Sequence, residues 1–117
     1  MKKIYYLSTC DTCKRILKEL DPPASYKLQN IKEEPLTPDQ LQELKRRSGT
    51  YESLFNKRAR LYKERDLKNK QLSEEDFKNL LLEHYTFLKR PVIVNDQKIF
   101  IGNSKKEIAA AKASLGE

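Results

Sequence analysis

The sequence contains few of the residues that metal centres and membrane segments require. Its two cysteines and single histidine, His84, fall short of the four ligands that a structural zinc ion takes. No apolar run approaches the roughly 20 residues of a membrane-spanning helix. The apolar stretch behind the basic start, residues 4–7, is too short for the core of a signal peptide. We therefore expect no metal, no membrane association and a cytoplasmic protein, in which a cysteine pair forms a disulfide only transiently.

Length and composition indicate one small domain. The 117 residues are enough for a single domain with a modest core and too few for two. Hydrophobic residues make up 38% of the chain and charged residues 35%, which indicates a small core beneath a heavily solvated surface. The chain has no internal repeat and no low-complexity tract. We predict one domain over residues 1–117 and expect a monomer.

Positive charge is concentrated in the middle of the chain. The net charge is +7, and residues 57–70 contain seven basic side chains against two acidic ones. One interpretation is a surface for an anion, a nucleic acid or an acidic partner. The other is a solvated helix face and loop, which is favoured because the segment has no platform of interleaved aromatic residues and no nucleic-acid motif. The basic residues are Lys57, Arg58, Arg60, Lys63, Arg65, Lys68 and Lys70.

The two cysteines lie three positions apart, between a predicted strand and a predicted helix. Residues 4–7 are typical of a short strand. Cys10 then lies at the N-terminus of the helix, where unpaired backbone N–H groups and the helix dipole favour an anion. A thiolate is an anion, so this position predicts a cysteine of lowered pKa that acts as a nucleophile. The helix itself is indicated by an apolar stripe at i, i+3, i+4 and i+7: Cys13, Ile16, Leu17 and Leu20.

Two other interpretations of the cysteine pair are open. The pair could be half of a zinc site, although the chain lacks the remaining ligands. The thiols could also be inert, because a free cysteine often packs as a small hydrophobic residue. Cys13 suits that interpretation, since it lies on the stripe that faces the core. Cys10 precedes the stripe, and this position favours a redox or nucleophilic role.

Capping signals place the remaining elements. Asp21-Pro22-Pro23 ends the first helix, and the alternating segment 25–31 predicts a second strand with Tyr26 and Leu28 as its apolar positions. Thr37-Pro38-Asp39-Gln40 predicts a capped helix start. That helix has Leu41 and Leu44 inward and ends at Gly49. Short helical turns are predicted at residues 51–55 and 60–65.

A further helix is predicted behind Ser73, which is a favourable N-cap residue. His84 lies on its inner stripe, and we interpret it as a half-buried residue near the helix end rather than a catalytic base. Residues 92–94 and 98–101, on either side of the turn residues Asn95-Asp96, predict an antiparallel hairpin. The inner stripe of the helix behind Ser73 is Phe77, Leu80, Leu81, His84 and Leu88.

The last predicted element is a helix capped by Ser104, with Ile108, Ala111 and Leu115 inward. The element order is therefore β-α-β, then a helical insertion over about residues 37–88, then β-β-α. This is the order of an α/β fold of the thioredoxin-like type with a mixed sheet. In that order, the junction between the first strand and the first helix is an exposed site that contains Cys10.

Four stretches in this order resemble the arsenate reductase (ArsC) family, which includes the Spx-type transcription regulators. They are YYLSTCDTCK at residues 5–14, LFNKR at 54–58, KRPVIV at 89–94 and IG at 101–102. No single stretch is highly specific, but the four at these separations are, and the match covers nearly the whole chain. The resemblance implies a thioredoxin-like fold with a helical insertion.

The resemblance also implies roles for individual residues. Cys10 corresponds to the nucleophile of the arsenate reductases, and Cys13 to a second thiol that Spx-type proteins have. Arg90 corresponds to the family's arginine before its proline, and Pro91 is expected to be cis in a loop facing the cysteine. Arg90 would then place a positive charge near the thiolate and bind an oxyanion in a forked geometry. Lys14 is a second stabilising charge. Thr12 either donates a hydrogen bond to the thiolate or begins the helix.

This sequence departs from the family at several positions. Tyr6 stands where the glutaredoxin-linked arsenate reductases have a histidine, and Lys14 stands where they have an arginine. Asn56 and Ile101 occupy the second and third arginine positions, so Arg90 is the arginine that remains. One arginine and backbone N–H groups are a poor donor set for an arsenate dianion. Arg58 and Arg60 are candidate replacements.

Three functional hypotheses follow. The first is an arsenate reductase-like thiol oxidoreductase without a cofactor, in which Cys10 attacks an oxyanion or a disulfide and Cys13 resolves the adduct. Its reductant would be glutathione, glutaredoxin or thioredoxin. The second is an Spx-type regulator that binds RNA polymerase and is switched by a Cys10–Cys13 disulfide. The third is a family member without turnover and with an unknown client.

Overall fold

The computed structural model describes residues 1–115, and the chain forms two compact units. One unit consists of Met1–Glu34 together with the chain from Arg90 onward, and the other is Pro35–Lys89. The first unit contains the strands, and the second contains helices and helical turns. A single domain with an insertion over about residues 37–88 stays a prediction. None of the helices within residues 1–115 is long and apolar enough to cross a membrane.

The first unit is built on a mixed four-stranded sheet. Strands β1 and β2 are parallel, and β3 is antiparallel to both β1 and β4, in the order β2-β1-β3-β4. This arrangement confirms the predicted α/β class with a mixed sheet. The elements are β1 (Lys2–Tyr6), α1 (Asp11–Leu20), β2 (Lys27–Asn30), β3 (Val92–Asn95), β4 (Lys98–Ile101) and α5 (Lys105–Leu115).

The core of this unit lies between the sheet and the helices α1 and α5. Ile4 of β1 and Ile93 of β3 are opposite each other in the antiparallel register and are fully buried. The predicted inward positions of both helices are confirmed, because apolar side chains at helical spacing face the sheet. The helix residues in this core are Ile16, Leu20, Ile108, Ala111 and Leu115.

The second unit is helical, and its predicted caps are confirmed. The Gln40 N–H donates to Thr37 Oγ1 and the Thr37 N–H donates to Gln40 Oε1, both at 3.1 Å. Ser73 and Asp76 make the same reciprocal pair at 3.1 and 2.9 Å. Such boxes satisfy N–H groups that a helix start leaves unpaired. The elements are α2 (Pro38–Ser48), α3 (Arg60–Glu64), α4 (Glu74–Glu83) and 3-10 turns at Glu52–Leu54, Leu67–Asn69 and Tyr85–Phe87.

The apolar positions of the predicted second strand do not mark the buried face of β2. Leu28 is 51% exposed, whereas the neighbouring Gln29 is 2% exposed. The amide Nε2 of Gln29 donates to the carbonyl of Glu34 at 2.9 Å, and this bond offsets the cost of burying it. Tyr26 is buried as expected, but it precedes the strand. Apolar alternation across a strand start therefore gave the wrong register.

The predicted end of the helix behind Ser73 is also wrong. Helix α4 ends at Glu83, and His84 has extended backbone angles of φ −150° and ψ 136°. Its ring Nδ1 accepts a hydrogen bond from the Thr86 N–H at 3.1 Å and thereby starts a 3-10 turn. Leu88 is consequently not on the helix but pairs with Phe55 in an isolated antiparallel bridge. His84 is half-buried at the helix end, as expected.

The hairpin turn is shifted by one residue from its prediction. Asn95 belongs to β3 and pairs with Lys98 of β4, so the turn residues are Asp96 and Gln97. Asp96 has a φ of 56°, which asparagine and aspartate tolerate better than most residues. The Asn95 amide is buried and donates to the carbonyl and hydroxyl oxygens of Ser114 at 3.1 and 2.7 Å. A turn-forming residue type here serves as a buried polar link to α5.

Candidate active site

Cys10 lies at the junction of β1 and α1, where the sequence predicts it. It is the N-cap residue of α1, with extended angles of φ −97° and ψ 110°. The Cys10 N–H donates to the carbonyl of Leu7 at 3.1 Å, and the Lys14 N–H donates to the carbonyl of Cys10 at 3.1 Å. The backbone on both sides of the residue is thus fixed. Its thiol is partly exposed at the helix N-terminus.

The surroundings of Cys10 lower the pKa of its thiol. Partial burial acts to raise the pKa, and this is the largest single effect. It is outweighed by the N–H and thiol of Cys13, the positive charge of Arg90 and the N–H of Thr12, all of which favour the thiolate. The thiol makes no capping hydrogen bond of ordinary length. Its stabilisation therefore comes from several weaker donors and one charge, as at other helix N-termini.

Cys13 differs sharply from Cys10 although the two thiols are in contact. Its side chain is 0% exposed, and its pKa is raised to about 11, chiefly by burial. The hydrogen bond and charge of Cys10 contribute to this rise, while the Leu7 N–H and Arg90 oppose it. Both cysteines are free thiols. The contact makes Cys13 a donor to the Cys10 thiolate.

Arg90 and Pro91 stand in the segment that leads into β3. The Arg90–Pro91 peptide bond is cis, as expected. Pro91 is buried, and its carbonyl accepts a hydrogen bond from the Gly102 N–H at 2.9 Å. Arg90 is half-buried, and its charge acts on both thiols. The structure therefore brings together three of the residues singled out in the sequence: Cys10, Cys13 and Arg90.

Thr12 and Lys14 occupy the first turn of α1 with Cys10. Thr12 is half-buried, and its contribution to the Cys10 thiolate comes from its backbone N–H. Lys14 is exposed. An exposed charge is screened by water and salt, so Arg90 is better placed than Lys14 to act on the thiolate. Whether Lys14 stabilises an anion stays a prediction.

Asn56 and Arg58 belong to the helical unit, where Asn56 organises a turn. The Asn56 N–H donates to the Phe87 carbonyl at 2.7 Å, and its Oδ1 accepts from the Arg58 N–H at 3.0 Å. The Arg58 side chain is exposed. These bonds are those of an Asx-type turn, which is a structural use of asparagine. A role for either residue at the thiols stays a prediction.

Several basic side chains of residues 57–70 form ion pairs within the helical unit. Lys57 pairs with Glu52 at 2.6 Å, Arg60 with Glu64 at 3.3 Å, and Arg65 with Glu83 at 2.5 Å. Partly neutralised side chains of this kind favour the interpretation of a solvated surface over that of an anion-binding face.

Ile101, at the third arginine position, ends β4, and its N–H donates to Glu107 at 3.0 Å.

A polar link beside the Cys10 loop was not predicted from the sequence. Asn30 Nδ2 donates to Ser8 Oγ at 2.8 Å, and the Ser8 N–H donates to Asn30 Oδ1 at 3.2 Å. Ser8 lies two residues past the carboxyl end of β1, and Asn30 is the last residue of the neighbouring parallel strand β2, where it is paired with Tyr6. The signal in the sequence was a polar residue at the end of one of these strands and another just beyond the end of the other. Within residues 1–115, no three His, Cys, Asp or Glu side chains are grouped as metal ligands.

Comparison with known proteins places the chain among similar sequences and folds. The model of the ArsC family matches residues 5–111. An uncharacterized protein of Haemophilus influenzae is 33% identical over 115 residues, which are 97% of this chain and 100% of that protein. The global transcriptional regulator Spx of Bacillus subtilis is 26% identical over 113 residues, with coverage of 92% and 84%. An arsenate reductase from Vibrio cholerae superposes with a TM-score of 0.78 at 20% identity, over 94% of this chain and 96% of that one. The last similarity confirms the predicted fold.

Proposed function

Because the chain belongs to the ArsC family, we propose that it is a cytosolic thiol oxidoreductase in which Cys10 is the nucleophile and Cys13 the resolving thiol. The observation that carries the proposal is the opposite tuning of two thiols in contact. Cys10 is partly exposed and has a lowered pKa, whereas Cys13 is buried and has a pKa raised to about 11. Reactive cysteines are recognised by this combination of exposure and thiolate character.

The proposed reaction with a disulfide proceeds in two exchanges. The Cys10 thiolate attacks one sulfur of the substrate disulfide, which forms a mixed disulfide and releases the other half as a thiolate. The Cys13 sulfur then attacks the Cys10 sulfur, and the Cys13 proton passes to the second half of the substrate, which leaves as a thiol. Cys10 and Cys13 are thereby joined. Two electrons pass from the cysteine pair to the substrate, which is reduced to two thiols.

The high pKa of Cys13 suits the order of these exchanges. While Cys10 is a thiolate, its charge and its hydrogen bond keep Cys13 protonated. When Cys10 enters a mixed disulfide, it loses that charge, and both effects on Cys13 disappear. The pKa of Cys13 then falls toward the value set by burial and by Arg90. Attack by Cys13 is thus suppressed until the intermediate exists.

The donor set beside Cys10 favours a disulfide over arsenate as the substrate. An arsenate dianion must exchange its hydration shell for several donors in the site. Of the family's three arginine positions, the other two are occupied by Asn56 and Ile101, which leaves Arg90. Its charge acts on Cys10. A neutral disulfide needs no such set. Glutathione, glutaredoxin or thioredoxin would then reduce the Cys10–Cys13 disulfide.

A thiol count with intact mass tests this proposal. Reduced protein is treated with oxidised glutathione and, separately, with arsenate, and free thiols are counted. We expect oxidised glutathione to consume both thiols with a loss of about 2 Da, the signature of a Cys10–Cys13 disulfide. Cys13→Ser should instead accumulate a mixed disulfide on Cys10. Consumption of both thiols by arsenate would identify an arsenate reductase, and inert thiols in both arms would refute the proposal.

A second candidate is an Spx-type regulator. It is favoured by the similarity to the Bacillus subtilis regulator, which extends over 92% of this chain. In this case a Cys10–Cys13 disulfide would switch binding to RNA polymerase rather than close a catalytic cycle. Capture of purified RNA polymerase by the reduced and the oxidised protein tests it. A difference between the two forms would support the regulator, and no capture in either form would remove it.

A further inference from the structure

Ser8 and Asn30 form a hydrogen-bonded pair beside the cysteine motif of residues 10–13. Ser8 is in the loop between β1 and α1, two residues before Cys10. Its N–H and hydroxyl oxygen both bond to the side-chain amide of Asn30, at 3.2 and 2.8 Å. The amide uses its acceptor and its donor on the same residue, so it fixes both the backbone and the side chain of Ser8.

Asn30 is itself held firmly. It ends β2, and the Ile31 N–H that follows donates to the carbonyl of Tyr6 at 2.9 Å. The Asn30 carbonyl accepts from the Glu33 and Glu34 N–H groups at 3.2 and 2.8 Å, and its Oδ1 also accepts from the Lys32 N–H at 3.3 Å. The amide thus projects from a strand end whose backbone is already bonded on both sides.

The loop that Asn30 holds determines where the reactive sulfur lies. Leu7, next to Ser8, accepts the Cys10 N–H through its carbonyl at 3.1 Å, and its own N–H acts on the Cys13 thiol. The position of Cys10 relative to Arg90, on a separate segment, depends on this loop. Coulomb energy varies inversely with distance and with the local dielectric. A loop that moves outward would weaken the effect of the charge and expose the thiolate to water.

We infer that Asn30 is a positioning residue of the Cys10 site, which acts through Ser8 to hold the nucleophilic thiol against the helix N-terminus and Arg90. The inference rests on the proposed function only in taking Cys10 as the reactive thiol. The groups that shift the pKa values of the two thiols are Arg90, backbone N–H groups and the thiols themselves, so the effect of Asn30 is exerted through the loop. The change in Cys10 reactivity should therefore appear while residues 10–13 are unchanged.

The test is the pH profile of Cys10 alkylation by iodoacetamide, read by mass spectrometry at that residue. We expect Asn30→Ala and Ser8→Ala each to shift the midpoint to higher pH and to slow labelling at pH 7 by at least about threefold. Ser8→Thr retains the hydroxyl and should label within about twofold of wild type. Asn69→Ala is the matched control, because Asn69 also donates its amide to a side chain, Asp66, but in the helical unit.

The double variant Asn30→Ala/Ser8→Ala should label no more slowly than Asn30→Ala, because Asn30→Ala removes both bonds to Ser8 and Ser8→Ala removes one of the same two. If Asn30→Ala does not fold, Ser8→Ala against Ser8→Thr decides the question. Profiles of Asn30→Ala or Ser8→Ala that superpose on wild type, with only the melting temperature lowered, would overturn the inference and leave a structural role. A failure of the proposed function would be recognised separately, because Cys10 of the wild-type protein would then be labelled no faster than Cys13. The difference in pH profile between wild type and the variants would still test the role of Asn30.

Discussion

The buried thiol of Cys13 donates a hydrogen bond to the thiol of Cys10, and this bond favours the thiolate at Cys10 and disfavours it at Cys13, whose pKa is raised chiefly by burial. The two residues are three positions apart in the chain, yet one is partly exposed and the other is 0% exposed. The helix geometry explains the difference, because an N-cap residue lies at the helix end and the third helical residue can face the core. Reactivity should therefore be divided unequally between them.

Alkylation at neutral pH should label Cys10 and spare Cys13. With a pKa of about 11, Cys13 has a thiolate fraction on the order of 10⁻⁴ at pH 7. Peptide mass spectrometry after brief treatment with iodoacetamide measures both sites. Cys10→Ser should abolish rapid labelling, and Cys13→Ser should retain it. Equal labelling of the two cysteines in wild-type protein would contradict this assignment.

Removal of the Arg90 charge should raise the pKa of Cys10. Arg90 is half-buried, and its positive charge favours the thiolate. We expect Arg90→Gln to slow labelling of Cys10 at pH 7 by about threefold to tenfold, because loss of a nearby opposite charge disfavours the ionised form. Arg90→Lys retains the positive charge and should slow the labelling of Cys10 less. Arg15→Gln, an exposed change on α1, is the control for net charge. If Arg15→Gln slowed the labelling of Cys10 as much as Arg90→Gln does, the effect of the charge would not be local to the site.

Stability should fall in alkaline solution as Cys13 ionises. Its pKa is raised from 9.0 to about 11, so the folded state holds the proton more tightly than the unfolded state. The resulting stabilisation is fully present below pH 9 and is lost between about pH 9 and 11. It amounts to about 2–3 kcal/mol. Cys10 acts in the opposite direction, because its pKa is lowered in the folded state and its contribution is lost as the pH falls through that pKa.

Urea unfolding of wild type and Cys13→Ala between pH 8 and 11.5 isolates this effect. Lysine and tyrosine side chains titrate in both proteins and cancel in the comparison. Cys13→Ala should be less stable than wild type at pH 8, because removal of the buried sulfur creates a cavity. Its stability should nevertheless fall less than that of wild type between pH 9 and 11. Parallel curves for the two proteins would show that Cys13 titrates normally.

Two leucines should respond very differently to truncation. Leu44 on α2 is 0% exposed, and Leu44→Ala should lower the free energy of unfolding by about 2–4 kcal/mol through lost burial and a residual cavity. Leu28 on β2 is 51% exposed, and Leu28→Ala should change it by less than about 0.5 kcal/mol. Urea unfolding measures both. A large loss for Leu28→Ala would mean that this side chain is covered in solution.

The helices could be predicted well from the sequence because their signals are local. The capping boxes at Thr37 and Ser73 each depend on residues three positions apart, and the stripe of α1 depends on residues within three turns. The predictions failed where the deciding contact is distant. Gln29 is buried because its amide bonds to Glu34, and Asn95 because Ser114 accepts from it across 19 positions.

Two features of the site follow from local sequence: Cys10 begins a helix and Cys13 faces the core, because a strand, a loop and an apolar stripe are adjacent in the chain. The action of Arg90 on both thiols and the bonds between Asn30 and Ser8 arise only in the folded chain. Arg90 is 80 positions from Cys10 and 77 from Cys13, and Asn30 is 22 positions from Ser8. Only the pairing of β1 with β2 and β3 brings these residues together. Side-chain hydrogen bonds and charges act over a few ångströms in space, irrespective of separation along the chain.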